Sequence, residues 1–294
     1  MNCYPKGILD YPFLVAPVLL QLWLNLGDGG INHVWLQNLS NFWYAFNTEE
    51  RQTCQQSAGR PTVKINAGVW WHLYHGVNPD LIVITGDLIH EGSANDYRDF
   101  KTMIDQEERR FNAPIRVILG NHDRTRPFYQ GYLQKSYLTR YYYSISNNEW
   151  DFYFLDTKCG DLEQGYIDER QMEWLRAELH SSPKPAILFM HHPLLGAPLE
   201  QMKYSILQNG KELRRVIEDT NVKAIFSGHV HYANLFLENG ILNVTADSTA
   251  YHINCANPHR HFITDGTSYN IISLTDQQIG VETRSLLLGT DTIK

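Results

Sequence analysis

The sequence lacks most of the features that identify a protein class at a glance. Its four cysteines, at positions 3, 54, 159 and 255, are far apart and form no Cys-x-x-Cys pair. That excludes a zinc ribbon and a small disulfide framework, and leaves reduced thiols as the plain reading. Basic charge is in deficit: 25 Lys and Arg against 32 Asp and Glu give a net charge of −7. No run of five or more basic residues occurs, so there is no nucleic-acid footprint, and "DQEERR" at 105–110 reads as a solvated helix face. No apolar run is long enough to span a bilayer. The stretch "FLVAPVLLQLWLNL" at 13–26 is interrupted by Pro17, Gln21 and Asn25, has Asp10 in its flank, and is followed by no small-residue cleavage pattern. It reads as a first core strand, and the chain as cytoplasmic, with secretion the lesser alternative. Repeats, low-complexity tracts and linkers are also missing.

What remains is an ordinary globular composition over 294 residues, 43% hydrophobic and 19% charged. One domain over 1–294 is expected, with 1–79 an atypical, aromatic-rich N-terminal part and 80–275 the core that carries the motifs. "DLIVITGD" is a continuous β-branched run, the pattern of a strand buried on both faces. A Ser-capped helix follows in "SANDYRDFKTMIDQEERRF", then the strand "APIRVILGNHD". "YYYSISNNEWDFYFLDT" reads as a hairpin, "DERQMEWLRAELHSS" as an amphipathic helix, and "PAILFMHHP" as a third buried strand. The helix "NGKELRRVIEDT" leads to a fourth strand, "VKAIFSGHVH", and the remainder alternates like antiparallel strands. The order implies a βαβ core with an antiparallel extension or second sheet.

Each of the four buried strands ends in polar residues: Gly86-Asp87, Gly120-Asn121-His122-Asp123, His191-His192 and Gly228-His229-Val230-His231. In an open α/β sheet the carboxyl ends of parallel strands form the crevice where ligands sit. Alone, each cluster has a bland reading, because Asn and Asp suit turns and caps and a His pair can simply pack. Together they are a mixed oxygen and nitrogen set suited to two divalent ions such as Mn, Fe, Zn, Co or Ni. A carboxylate such as Asp87 can bridge two cations about 3.5–4 Å apart.

With "GDLIHEG" at 86–92, "GNHD" at 120–123, "MHHP" at 190–193 and "GHVH" at 228–231, the chain resembles the calcineurin-like metallophosphoesterase superfamily. The flanks look most like its bacterial class III cyclic-nucleotide phosphodiesterase branch. The resemblance implies a four-layer α/β/β/α sandwich with two mixed β-sheets. It also implies hydrolysis of a small-molecule phosphoester, a cyclic nucleotide or similar phosphodiester first, with a phosphomonoesterase or nucleotidase as the alternative. Asp87 would bridge the metals; Asn121, His191 and His229 would complete one site and His231 serve the other. His122 would stand near the leaving-group oxygen, Asp123 would orient His122, and His192 is either a supporting residue or unassigned.

One family motif is missing. The superfamily's first strand ends in Asp-x-His, and no Asp-x-His occurs in this sequence. "VLLQL" stands where that strand is expected, with Trp23-Leu24-Asn25 in the motif's place; Asn25, Asp28 and His33 are the nearby residues that could substitute. Three readings stay open: a two-metal enzyme with replacement ligands, an impaired single-metal enzyme, or an atypical N-terminus that does not represent the active form; a degenerate metal-binding protein is the competing class. "WW" at 70–71 and "YYY" at 141–143 offer rings to a nucleobase, but packing is their expected use. His252, His259 and His261 are expected on solvent-facing loops.

Overall fold

Along the run Leu81–Ile84, alternate side chains enter two different cores. Leu81 and Val83 pack in one and Ile82 and Ile84 in the other, as the two-residue period of a strand requires. This run is β2 of a computed structural model that describes residues 32–37 and 77–286, apart from 250–251, 258–259, 265–266 and 277. The described residues belong to one compact unit that begins at Ile31.

A five-stranded sheet has the order β13-β12-β1-β2-β3, built from Ile279–Leu286, Thr267–Leu274, Asn32–Gln37, Leu81–Ile84 and Ile115–Val117. Here β1, β2 and β3 are parallel, while β12 runs antiparallel to both β1 and β13. A six-stranded sheet has the order β4-β5-β6-β7-β9-β8: Tyr143–Ser146, Asp151–Phe154, Ala186–Phe189, Val222–Ser227, Ile241–Thr245 and Asn234–Glu238. In it β5, β6, β7 and β9 are parallel and the two edge strands antiparallel. Both sheets are mixed, as the resemblance implies. A separate hairpin joins β10 (His252–Asn257) and β11 (Arg260–Thr264).

Three cores define four layers. Between the sheets lie Leu81, Val83, Ile272 and Leu274 from one side and Phe152, Phe154, Ile187, Phe189 and Phe226 from the other. The rings of Phe154, Phe189 and Phe226 stack at centroid separations of 5.0 and 5.8 Å. Each such pair adds about 0.5–1.5 kcal/mol beyond area burial. Outside the five-stranded sheet, α1 (Ala94–Phe111) and α2 (Thr125–Phe128) insert Tyr97, Phe100, Ile104 and Phe128 against Ile82 and Ile84. Outside the six-stranded sheet, α3 (Glu169–Ser181) and α4 (Gly210–Ile217) insert Met172, Leu175, Leu179, Leu213 and Val216 against Leu188 and Ile225. Both long helices start at a side-chain cap. Ser93 and Asp96 form a reciprocal capping box on α1, and Asp168 accepts from Gln171 N on α3.

The strand beside β2 is Asn32–Gln37, while "VLLQL" lies outside the described residues. The "YYY" run packs internally: Tyr143 stacks on Phe154 at 4.5 Å and Tyr142 lies against Trp174 at 4.8 Å.

Candidate metal centre

The four motif loops follow the carboxyl ends of β2, β3, β6 and β7, and the backbone stitches them together. Ile118 N donates to Ile84 O, Met190 N to Phe226 O, and Gly228 N to His191 O, at 3.0–3.1 Å. At this edge a side-chain bond crosses between the two sheets: His191 Nδ1 donates to Thr85 O at 2.6 Å. Glycine makes the close approach feasible. Gly86 has φ +100°, and a Cβ on Gly120 would overlap the Asp87 carboxylate. Asp87, His229 and His231 are themselves held at positive φ, 55°, 72° and 50°. Such conformations cost on the order of 1–3 kcal/mol each and persist where surrounding structure imposes them.

With its Nδ1 proton given to Thr85, His191 in its neutral form presents a bare lone pair at Nε2. Around that atom lie Asn121 Oδ1 at 3.1 Å, His229 Nδ1 at 3.1 Å and Asp87 Oδ1 at 3.4 Å. Asp87, His191 and His229 are 2%, 0% and 7% exposed, so the cluster is largely withdrawn from bulk solvent. Converging buried acceptors call for a positive charge among them. The electrostatics agree. Burial alone would raise the Asp87 carboxyl, but the imidazoles of His191 and His122 hold it well below the usual carboxylate range. Burial opposes charging of His191, yet the Asp87 carboxylate raises its pKa. His229 is pushed well below the usual imidazole value by burial and by the charges of His191 and His231, which keeps its lone pair free. One carboxylate, one amide oxygen and neutral imidazoles are the donor set of a first-row divalent cation, and the residues fit it.

His231 is buried on the same loop, and Ile253 N of β10 donates to its carbonyl at 2.8 Å. Its backbone therefore lies beside the centre with that of His229. The register places the His33 backbone away from this edge. On β1 it pairs with Ser273, while Gln37, four residues on, pairs with Ile84 at the carboxyl end of β2. At about 3.3 Å per residue that separation is about 13 Å, so His33 sits toward the opposite end of the strand. Asn25 and Asp28 lie outside the described residues.

The Asp123 carboxylate is bonded away from the His122 ring. Fully buried, its carboxylate accepts from Leu88 N, Ile89 N and Gly120 N at 3.1, 3.1 and 2.8 Å, and from Tyr97 Oη at 2.8 Å. It clamps the 86–92 loop to the 120–123 loop. Burial and the nearby Asp87 charge push it up to about 6, so it remains ionised at neutral pH. The partner of the His122 ring is His90, Nδ1 to Nδ1 at 3.0 Å. His122 N donates to Asp87 Oδ1 at 3.2 Å.

His192 shares a metal-like grouping with His191 and His229, their ring nitrogens lying within 4.8 Å of one another. Both of its nitrogens are already engaged, Nδ1 with Thr157 Oγ1 at 2.8 Å and Nε2 with Glu163 O at 3.1 Å. It supports the loop beside the centre and offers no ligand atom. Three participants escaped the motif reading. His90 lies inside "GDLIHEG" and was legible there; Glu163 and Lys158 carry no local signal. Lys158 Nζ donates to Asn121 O at 2.9 Å. His252, expected on a solvent-facing loop, begins β10 and pairs with Asp247 at 2.9 Å.

Comparison with known proteins follows the same lines. A model of the calcineurin-like phosphoesterase family matches residues 66–233, more than half the chain. A probable cyclic nucleotide phosphodiesterase of Rhodococcus erythropolis is 29% identical over 182 residues, covering 60% of this chain but only 59% of that protein. The probable glycerophosphodiester phosphodiesterase GpdQ of Arcobacter nitrofigilis is 26% identical over 226 residues, 72% of this chain and 79% of that one. Among solved structures, the purple acid phosphatase PPD1 of yellow lupin superposes with a TM-score of 0.55 at 14% identity, covering 87% of this chain and 52% of the lupin chain. That likeness is one of fold.

Proposed function

Given that this chain belongs to the calcineurin-like phosphoesterase family, we propose that it is a metal-dependent hydrolase of small phosphodiesters, with cyclic nucleotides the first substrate to test. The observation that carries the proposal is the convergence of Asp87, Asn121 and His229 on His191 Nε2. Asp87, Asn121, His191 and His229 would hold one divalent cation, and His231, with Asp87 as the shared carboxylate, part of a second. Bound there, such a cation neutralises phosphate charge and lowers the pKa of a coordinated water toward neutrality.

The chain's own residues do the rest. Asp123 and the Thr85–His191 bond fix the loops, so the acceptors need no rearrangement. His122 stands at the margin of the cluster with its backbone N–H on Asp87 and its ring against His90. From there its imidazole N–H is assigned to the oxygen of the departing alkoxide. The cluster recognises phosphate and not the group attached to it, so a phosphomonoester or nucleotide is the second reading. The probable glycerophosphodiester phosphodiesterase relative favours a non-cyclic phosphodiester as a third substrate class. Because the Asp-x-His ligands are missing, a single-metal or degenerate protein is the competing outcome.

Purified full-length protein assayed with added Mn²⁺ on bis(p-nitrophenyl) phosphate and cyclic AMP is expected to turn over, and EDTA to stop it. Folded protein that binds no metal and hydrolyses neither those diesters nor a panel of monoesters refutes the proposal. His122→Ala is expected to retain wild-type metal content and lose about 10²-fold in kcat. Loss of metal in that variant would show that His122 has been assigned the wrong role.

A further inference from the structure

We infer that Glu163 is a positioning residue that aims the Asn121 amide oxygen into the metal centre, and that His192 holds Glu163 in place. The inference rests on the metal reading above and extends it to a residue outside every motif. Glu163 Oε2 accepts from Asn121 Nδ2 at 3.2 Å across 42 residues of sequence. An ionised carboxylate can only accept, so this bond fixes which end of the amide faces which way. The NH₂ group must point to Glu163, and Oδ1 must point inward, where it lies 3.1 Å from His191 Nε2. Flipped, the amide would present two protons to the lone pairs of His191 and Asp87 and could not bind a cation. The other carboxylate oxygen, Oε1, lies 3.6 Å from His229 Nε2.

The segment that presents Glu163 is anchored at several points. A backbone carbonyl can only accept, so His192 donates its Nε2 proton to Glu163 O and receives the Thr157 hydroxyl proton at Nδ1. Gly165 lets the segment lie against that ring, since a Cβ there would sit 2.5–2.7 Å from His192 ring atoms. Lys158 ties the same segment to Asn121 O, and Gly165 N donates to Ile206 O at 3.1 Å. The second histidine of "MHHP" therefore acts on the site through Glu163.

The test is Mn²⁺ binding by the full chain, measured by isothermal titration calorimetry for wild type, Glu163→Ala, Glu163→Gln and Asp87→Asn. Glu163 is 55% exposed, so its replacement leaves the fold intact, which circular dichroism checks. Outer-shell partners of metal ligands are worth about 10–100-fold in affinity, and Glu163→Ala is expected to weaken binding by that factor. Glu163→Gln keeps an acceptor oxygen for Asn121 Nδ2 and is expected to stay within about threefold of wild type, well short of the outer-shell loss. Wild-type affinity in Glu163→Ala, with binding lost in Asp87→Asn, overturns the inference and leaves the metal reading standing. Equal weakening in Glu163→Ala and Glu163→Gln also overturns it, because charge and not amide orientation would then matter. No binding by the wild-type protein overturns the metal reading itself, and the inference with it.

Discussion

Asp87→Asn is expected to abolish metal retention and to lower kcat by about 10³-fold or more, with the protein still folded. Asp87 is the carboxylate among the acceptors that meet at His191, and its charge is held on by His191 and His122 despite complete burial. Asparagine copies its shape and tolerates the left-handed backbone at this position, where φ is 55°. The substitution therefore removes charge without a steric penalty. What is lost is an anionic ligand shared by both proposed cations, and a neutral amide donates where the site needs acceptance. Metal-assisted stabilisation of a phosphoryl transition state is worth several kcal/mol, and about 4 kcal/mol corresponds to about 10³ in rate. Elemental analysis after dialysis, alongside turnover of bis(p-nitrophenyl) phosphate, checks both halves. A variant that keeps its metal and its rate would remove Asp87 from the centre.

The cluster is legible in the sequence to the extent that its members sit in contiguous strand-end motifs. A buried strand delivers whatever follows it to one edge of the sheet, so Asp87, Asn121, His191 and His229 could be placed together before any coordinates. Roles that depend on partners distant in sequence could not be read this way. Asp123 adjoins His122 in the chain, which suggests that it orients that ring, but its carboxylate turns inward to Tyr97 and the 88–89 amides instead. Glu163 has no local pattern at all, because its position depends on His192, Asn121 and Ile206 from other segments. The strand beside β2 is a similar case: "NHVWLQ" carries no motif to mark it, and its place is set by the available edges of β2 and β12. The layers, in contrast, follow from the two-residue period of β2, β5 and β6, which sorts every apolar side chain to a core.

Asp123→Ala is expected to be the most destabilising substitution at the site, costing about 3–5 kcal/mol and lowering Tm by on the order of 10 °C. Its carboxylate satisfies three backbone amides and the Tyr97 hydroxyl, which also accepts from Arg124 N at 3.0 Å. Truncation would leave buried donors with no acceptor, at about 1–3 kcal/mol for each one left unsatisfied, partly relieved where the loops relax. Asp123→Asn should fall between wild type and alanine, because one oxygen remains to accept while the NH₂ group faces other donors. The two loops joined by Asp123 carry Asp87 and Asn121, so their separation would also disperse the acceptors around His191. Activity should therefore fall together with thermal stability, and added Mn²⁺ should restore part of both by favouring the folded state. If Asp123→Ala instead melted at the wild-type temperature while kcat alone dropped, the carboxylate would be acting on the His122 ring and the clamp assignment would be wrong.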